Sequence, residues 1–527
     1  MDASVPKTPL PQGNNKNAKY IKETIMATAG TTGVIIIYLV LILGVGAWAS
    51  RKIKTAEDYV VAGRSLGFWM FTILIIASCT SGMTLLGVAG LGYVGGWPTI
   101  WEQIFVPLTC AICILVYGAK LHRVSQKRKY MTIQDYFSHR FYSPKAMRIV
   151  SGLAVLITSV IYLTGQYRAI SIVLTRLLGI THLQALLIGA GIVMVYVIMG
   201  GLYAVAWTTL IQGLILIIGV LCTAPFVISA AGGLTHINKV LGGIDPNYLK
   251  LAFPQQHPPY APYAFCTPLF LISFFFLLAV GLGSAPHIIN NVLTARRKTY
   301  YRWAPLAAFA IYAVVMYLIK IVGFATRTMV TEGAFKLAHP DYSFIASIEH
   351  IMPPVAWAFF GVVILAAVMS TTDRLLLTIG SCIGWDLYKS LINPQASDKR
   401  VNLISRIFVG VFAAITVLLA IKPPALLAWL IWMGIGIMLA CFVTPLLFGL
   451  YWKRATREGG IWSMLVGLIS AVIFGAIHQF VTPLPMHFSF YAFVISIIVM
   501  VVVSLVTQKP EEKVIRETQA GFYIRAK

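Results

Sequence analysis

Apolar stretches of about 17–30 residues, each long enough to cross a hydrocarbon layer as a helix, alternate with short polar connections along almost the whole chain. They lie near 30–50, 67–95, 101–119, 147–175, 183–199, 203–231, 263–290, 303–326, 354–384, 402–421, 424–450, 461–481 and 487–507. The pattern predicts an all-α integral membrane protein of about 13 transmembrane helices. No polar run between them is long enough to hold a soluble domain.

Charge changes the picture by giving the helices a direction. The chain has 527 residues, 58% hydrophobic and 11% charged, with a formal net charge of +24. In a soluble protein that excess would point to nucleic acid, but here it falls on alternate connections. Arg51, Lys52 and Lys54 form one group; Lys120, Arg123 and Lys127 to Lys129 the next; then Arg296 to Lys298; Lys389, Lys399 and Arg400; Lys453, Arg454 and Arg457; and the tail after Lys509. The intervening connections are poor in cations. Cation-rich loops stay cytoplasmic, so the N-terminus is expected outside and the C-terminus inside a cell (plasma) membrane. Lys7, Lys16, Lys19 and Lys22 run against this but are outvoted. The seven cysteines show no metal-ligand spacing and read as small core residues.

Two segments are interrupted. The second contains Ser81-Gly-Met-Thr-Leu-Leu-Gly-Val-Ala-Gly90, and the seventh contains Gly281-Leu-Gly-Ser-Ala-Pro-His287. If the second opens a five-helix unit, the seventh opens the next one in the opposite membrane orientation. Matched glycine and proline breaks are the sequence pointer to a five-plus-five inverted repeat with its site near the midplane. The expected organisation is an extracellular tail at 1–29, an extra helix and cytoplasmic loop at 30–66, a first repeat at 67–231 and an extracellular loop at 232–262. A second repeat at 263–450, two extra helices at 451–507 and a cytoplasmic tail at 508–527 complete it.

The ninth segment carries unusual polarity. Between Ala366 and Lys389 it holds Ser370, Thr371, Asp373 and Arg374. A charge near the bilayer centre costs about 2.5–3.5 kcal/mol on insertion scales, so it faces protein or a water-filled path. At about 100° per residue, Ala367, Ser370, Thr371 and Arg374 share one side of the helix. Two readings stay open from the residues alone: a cation or substrate pathway, or a polar helix–helix contact.

Asp58-Tyr-Val-Val-Ala-Gly-Arg-Ser-Leu-Gly67, the Ser81–Gly90 break, Gly200-Gly-Leu-Tyr-Ala-Val-Ala-Trp-Thr-Thr-Leu-Ile-Gln212 and the ninth segment resemble, in this order, stretches of the sodium:solute symporter family. The resemblance implies a LeuT-like five-plus-five core working by alternating access, a transporter and not an enzyme, with sodium as coupling ion and no other cofactor. It implies a sodium (metal) site made of the carbonyls of Ala77, Thr80 and Ala367 and the hydroxyls of Ser370 and Thr371. Several weak neutral oxygens suit a cation that must also leave. Two departures stand out. Thr209 replaces an acid that the family usually has in its fifth core helix, and Arg374 follows Asp373 where a serine is usual. In relatives with a second sodium site these positions help form it. The expectation is that the Arg374 guanidinium, held by Asp373, fills that region. In a sharper alternative Arg374 replaces sodium altogether, leaving proton-coupled or facilitative transport.

Met369–Asp373 and Ala285–His287 look most like the pantothenate and monocarboxylate branches, which implies import of a small organic anion. Arg168 is the expected cation for its carboxylate, with Ser81, Thr84, Ser284 and Gln166 as polar substrate contacts. Sugars, proline and other non-anionic solutes remain alternatives. His287 reads as a structural cap, and Glu102 is placed at the outer edge, leaving no convergent acid–base set for an enzyme. The expected partners are a small solute, sodium and the lipid bilayer, without nucleic acid, and the protein is expected to function as a monomer.

Overall fold

The computed structural model describes residues 14–51, 53–257, 265–422 and 427–519. The first part of the expected N-terminal tail, the end of the 232–262 loop and the last residues of the C-terminal tail lie outside the described residues. The described chain is helical almost throughout, because a backbone in lipid must satisfy its own polar groups within each segment.

Among the described residues ten helices are long and apolar enough to cross a membrane, and two more spans are helix pairs bent at a break. One of the ten, His182–Ala230, has 49 residues, too long for one crossing, and Gly201 inside it takes non-helical angles (φ 45°, ψ −151°). A side chain at Gly201 would also run into the ring of Tyr59, about 2.3 Å from an added Cβ. Splitting this helix there yields the thirteen segments expected from hydropathy.

We number them α1 (Asn14–Ser50), α2a (Phe68–Cys79) and α2b (Met83–Gly95), α3 (Trp97–Arg128), α4 (Ala146–Leu178), α5 (182–200) and α6 (202–230). There follow α7a (Pro268–Ser284) and α7b (Pro286–Thr294), α8 (Tyr300–Thr331), α9 (Ala356–Ile392), α10 (Asp398–Ala420), α11 (Ile431–Tyr451), α12 (Arg457–Val481) and α13 (Phe488–Val506). The halves of α2 meet at 63° and those of α7 at 51°.

The most apolar stretch of α9 is entirely buried, whereas that of α1 is 28% buried and that of α13 33%. The helix with the most polar sequence is therefore the one withdrawn from lipid, which removes the cost of its charges facing hydrocarbon.

The segment before α2 is fixed by local chemistry. Thr55 and Asp58 form a capping box for a short helix, Ala56–Val61. Arg64 then anchors the turn by donating to Ser125 Oγ and Tyr130 O, both at 2.6 Å, and to Glu57 Oε1 at 2.8 Å. Beyond it Leu66 and Ala295 form a parallel backbone bridge. The Leu66 amide donates to Thr294 O at 3.2 Å and the Arg296 amide to Leu66 O at 3.0 Å. The start of α2 is thereby tied to the end of α7.

Candidate functional site

A break in a membrane helix strips backbone groups of their helical partners, and the side chains that replace them define this site. The Ser81 amide donates to Thr84 Oγ1 at 2.9 Å, and the Gly82 amide to Gln166 Oε1 at 2.8 Å. The Cys79 carbonyl accepts from Tyr312 OH at 3.1 Å. Gly82 must be glycine, because an added Cβ would stand 2.3 Å from the side chain of Ala169 in α4.

The remaining carbonyls of the break are met from α9. Ser370 Oγ donates to Ala77 O at 3.2 Å and to Ala367 O at 2.9 Å. Thr371 Oγ1 donates to Thr80 O and lies 3.3 Å from Ala77 O. Ala77, Thr80, Ala367, Ser370 and Thr371, the set that the family resemblance implies, thus meet in one buried place. A hydroxyl that donates to a carbonyl here presents its lone pairs when it rotates, so the group can supply five neutral oxygens to a hard cation.

One turn further along α9, buried Arg374 donates from Nη1 to Asn291 Oδ1 at 3.1 Å and from Nη2 to Thr209 Oγ1 at 3.3 Å. Its Nε is 3.9 Å from Asp373 Oδ1, at the outer limit of an ion pair. Asp373 in turn accepts from Tyr196 OH at 3.1 Å. Thr209, Asp373 and Arg374 are together, as expected, but the grip on the guanidinium corrects the expectation. Its hydrogen bonds go to Thr209 and Asn291, and Asp373 is a neighbouring counter-charge. Asn291 in α7b was not anticipated. Its own amide bonds to Ser78 Oγ and to His287 O, each at 3.0 Å, so it joins both broken spans to α9.

Beside the α2 break is an inner cavity of about 20 Å³, lined by Ser81, Thr84, Tyr162 and Glu102 together with apolar groups such as Met83 and Met316. That volume holds about one water, so a solute requires the surrounding helices to part. Glu102, which the sequence places at the outer edge, is 1% exposed, and Lys320 Nζ donates to its Oε2 at 3.2 Å. Lys320 is itself fully buried in α8, and its appearance in an otherwise apolar span was the signal available. Glu102 Oε1 has no hydrogen-bond partner among the described residues.

Other expected substrate residues are placed elsewhere. Gln166 is engaged by the Gly82 amide. Ser284 does not line the inner cavity; its hydroxyl bonds back to Gly281 O at 2.8 Å, as serines in membrane helices commonly do. Arg168 lines a separate cavity with His182, His339 and Tyr342. His287 is not a cap: it is buried, edge-on to Tyr162 at 5.4 Å, with no hydrogen bond to either ring nitrogen among the described residues.

Comparison with known proteins bears on both fold and family. A model of the sodium:solute symporter family matches residues 59–467, well over half of the chain. The sodium/pantothenate symporter of Haemophilus influenzae is 27% identical over 493 residues, covering 92% of this chain and 97% of the relative. The sodium/proline symporter of Escherichia coli is 27% identical over 456 residues, covering 83% and 86%. Among solved structures, a Na+-coupled sialic acid symporter in a substrate-bound outward-open state superposes with a TM-score of 0.78 at 17% identity, over 92% of this chain and 98% of its own. Mhp1, a nucleobase-cation-symport-1 family transporter in a closed conformation, gives 0.52 at 12% identity, over 87% and 97%. These structural likenesses carry the LeuT-like fold that the matched breaks in α2 and α7 imply. With its breaks, its buried polar ninth helix and a family match running from the lead-in turn to α12, the chain is a member of the sodium:solute symporter family.

Proposed function

We propose that the protein imports a small organic anion, of the pantothenate or monocarboxylate type, by alternating access coupled to one sodium ion. The observation that carries the sodium part is the convergence of Ala77, Thr80, Ala367, Ser370 and Thr371 between a broken span and the buried ninth helix. A cation bound there bridges α2 to α9, so its arrival and departure bear on the packing that alternating access must change. The cation-rich face is cytoplasmic in this reading, with the N-terminus outside, the repeats spanning 67–231 and 263–450, and the plasma membrane as the location.

Arg374 limits the number of ions. Its guanidinium already places a permanent positive charge among Thr209, Asn291 and Asp373. A second cation there would meet like charge in a buried setting. Among the described residues Arg374 makes no hydrogen bond to the five-oxygen group, which argues against its standing in for sodium there.

Ser81, Thr84 and Tyr162 are the polar contacts we assign to an anionic solute once the inner cavity opens, with the Glu102 carboxylate held by Lys320. The Glu102–Lys320 pair favours a second reading of the substrate. A site lined by an acid with a base behind it also suits a zwitterion or a hydroxyl-rich solute, each able to use both charges. Uptake of labelled pantothenate, lactate, proline and galactose into proteoliposomes, with sodium replaced by potassium at fixed pH, separates these readings. Uptake unchanged by the replacement removes sodium coupling, and exclusive uptake of proline or galactose removes the anion.

A further inference from the structure

Two of the cysteines that the sequence reads as core residues touch each other at the first break. Cys79 is the last residue of α2a, and its sulfur stands 3.7 Å from that of Cys110 in α3. All seven cysteines are free thiols, and among the described residues this is the one hydrogen-bonded thiol pair. A disulfide holds its sulfurs at about 2.05 Å, so the pair stands within about 2 Å of one, a gap on the scale of side-chain rotation.

The pair has one side open to small polar molecules. Cys79 lines the inner cavity beside Ser81 and Thr84, whereas Cys110 stands behind it, fully buried. The cavity, of about 20 Å³, admits about one water-sized molecule while shut, and it widens when its helices part for a solute. A thiol reacts as its thiolate, which needs polar surroundings to form. Cys79 is therefore the sulfur that a small polar oxidant meets first, with Cys110 placed to resolve what forms there.

A bond between these sulfurs would act on the transport site itself. The Cys79 carbonyl accepts from Tyr312 OH at 3.1 Å, and the carbonyl of the next residue, Thr80, accepts from Thr371 in the five-oxygen group. On the other side, Thr109 Oγ1 in α3 donates to Leu278 O of α7a, and a Cβ added to Gly283 would lie 3.6 Å from the Cβ of Cys113. Joining Cys79 to Cys110 thus pins the edge of the first break to a helix already packed against the second broken span.

We propose that Cys79 and Cys110 form a peroxide-sensitive modification site whose disulfide arrests transport by holding the α2 break against α3. The Cys79 thiolate attacks one oxygen of hydrogen peroxide, the O–O bond breaks, and the departing hydroxide takes up the thiol proton as water. The Cys110 sulfur then attacks the resulting sulfenic acid and forms the S–S bond, and the hydroxyl leaves with the Cys110 proton as a second water. Two thiols are oxidised and one peroxide is reduced to two waters.

The test uses the full chain in proteoliposomes treated with hydrogen peroxide. Non-reducing peptide mass spectrometry should find Cys79 joined to Cys110. Uptake of whichever of labelled pantothenate, lactate, proline or galactose the protein carries should fall with the linked fraction and return with dithiothreitol. Cys79→Ser and Cys110→Ser should each resist peroxide relative to their own untreated uptake, whereas Cys222→Ser, changed at the exposed cysteine of α6, should be as sensitive as wild type. Wild-type protein that keeps both thiols, or that carries Cys79 only as a sulfinic acid, overturns the site. That readout needs no variant to fold and no solute or coupling ion to be known, so it stands apart from the sodium and anion readings. Linked protein that transports as fast as the reduced form overturns the arrest.

Discussion

Ser370 Oγ reaches the carbonyl of Ala77 at 3.2 Å although the two residues stand 293 positions apart in the chain. The contact joins the buried ninth helix to the open backbone of a broken span, and Thr371 doubles it. A ligand bond to a charged species is worth about 1.5–3 kcal/mol, so Ser370→Ala and Thr371→Ala should each raise the sodium concentration for half-maximal uptake by about 10-fold or more. Sodium titration of uptake in proteoliposomes measures this. Two unshifted titrations would remove the sodium assignment.

The wild-type protein should titrate with a sodium Hill coefficient of about 1, because Arg374 holds the neighbouring position. Restoring oxygen ligands in Arg374→Ser/Thr209→Asp should raise the coefficient towards about 2, the ceiling for two sites. A wild-type coefficient already well above one would refute the single-ion reading.

Lys320 and Glu102 make a buried pair whose partners are hard to lose singly. Lys320→Met leaves an uncompensated buried carboxylate and should cost about 3–5 kcal/mol, with Glu102→Gln/Lys320→Met recovering most of it. Thermal unfolding of the three proteins in detergent reads this directly, and a double variant no better than the single one would mean that the pair is not coupled.

Gly323 in α8 packs against the backbone of α2b, where an added Cβ would lie 2.2 Å from Ala89 O. Backbone cannot yield as a side chain does, so Gly323→Ala should lower stability by about 1–3 kcal/mol and slow transport together. Unchanged unfolding temperature and uptake would show the contact to be looser than this packing implies.

His139 lies in a short helix on the cation-rich face, Ile133–Arg140; its Nε2–H donates to Glu517 Oε2 and its Nδ1 accepts from Tyr130 OH. Burial holds its pKa below the ordinary imidazole value, and the Glu517 carboxylate only partly opposes that shift. The folded state thus binds fewer protons than the unfolded one near pH 6. Stability from this residue is complete above the unfolded pKa of about 6.5 and is lost as pH falls below it. The unfolding temperature should drop between pH 7.5 and 5.5, and His139→Gln should flatten that drop. A steeper drop in the variant would reverse the sign argued for this group.

Several features were legible in the sequence because they depend on local pattern. Hydropathy marks thirteen segments, glycine and proline mark the breaks at 81–90 and 281–287, and helical periodicity puts Ser370, Thr371 and Arg374 on one side of α9. What stayed hidden depends on distant partners or on depth. Glu102 and Lys320 are 218 positions apart, and neither alone says that it is buried against the other. Asn291 looks like a loop residue until the bend at Pro286 brings it to Arg374. Arg168 shares a helix with Tyr162 of the inner cavity, but periodicity fixes a face and not a height, and it stands about 9 Å further along the helix, in the lining of another cavity.

The bridge between Leu66 and Ala295 ties the entry of one broken span to the exit of the other through two main-chain hydrogen bonds. Two helices that open the two halves of an inverted repeat cannot then slide past each other at that end. The tie stands on the cation-rich face, and α2b and α7a are the halves that lie beyond the two breaks. A displacement of one broken span at that end is therefore expected to carry its counterpart with it.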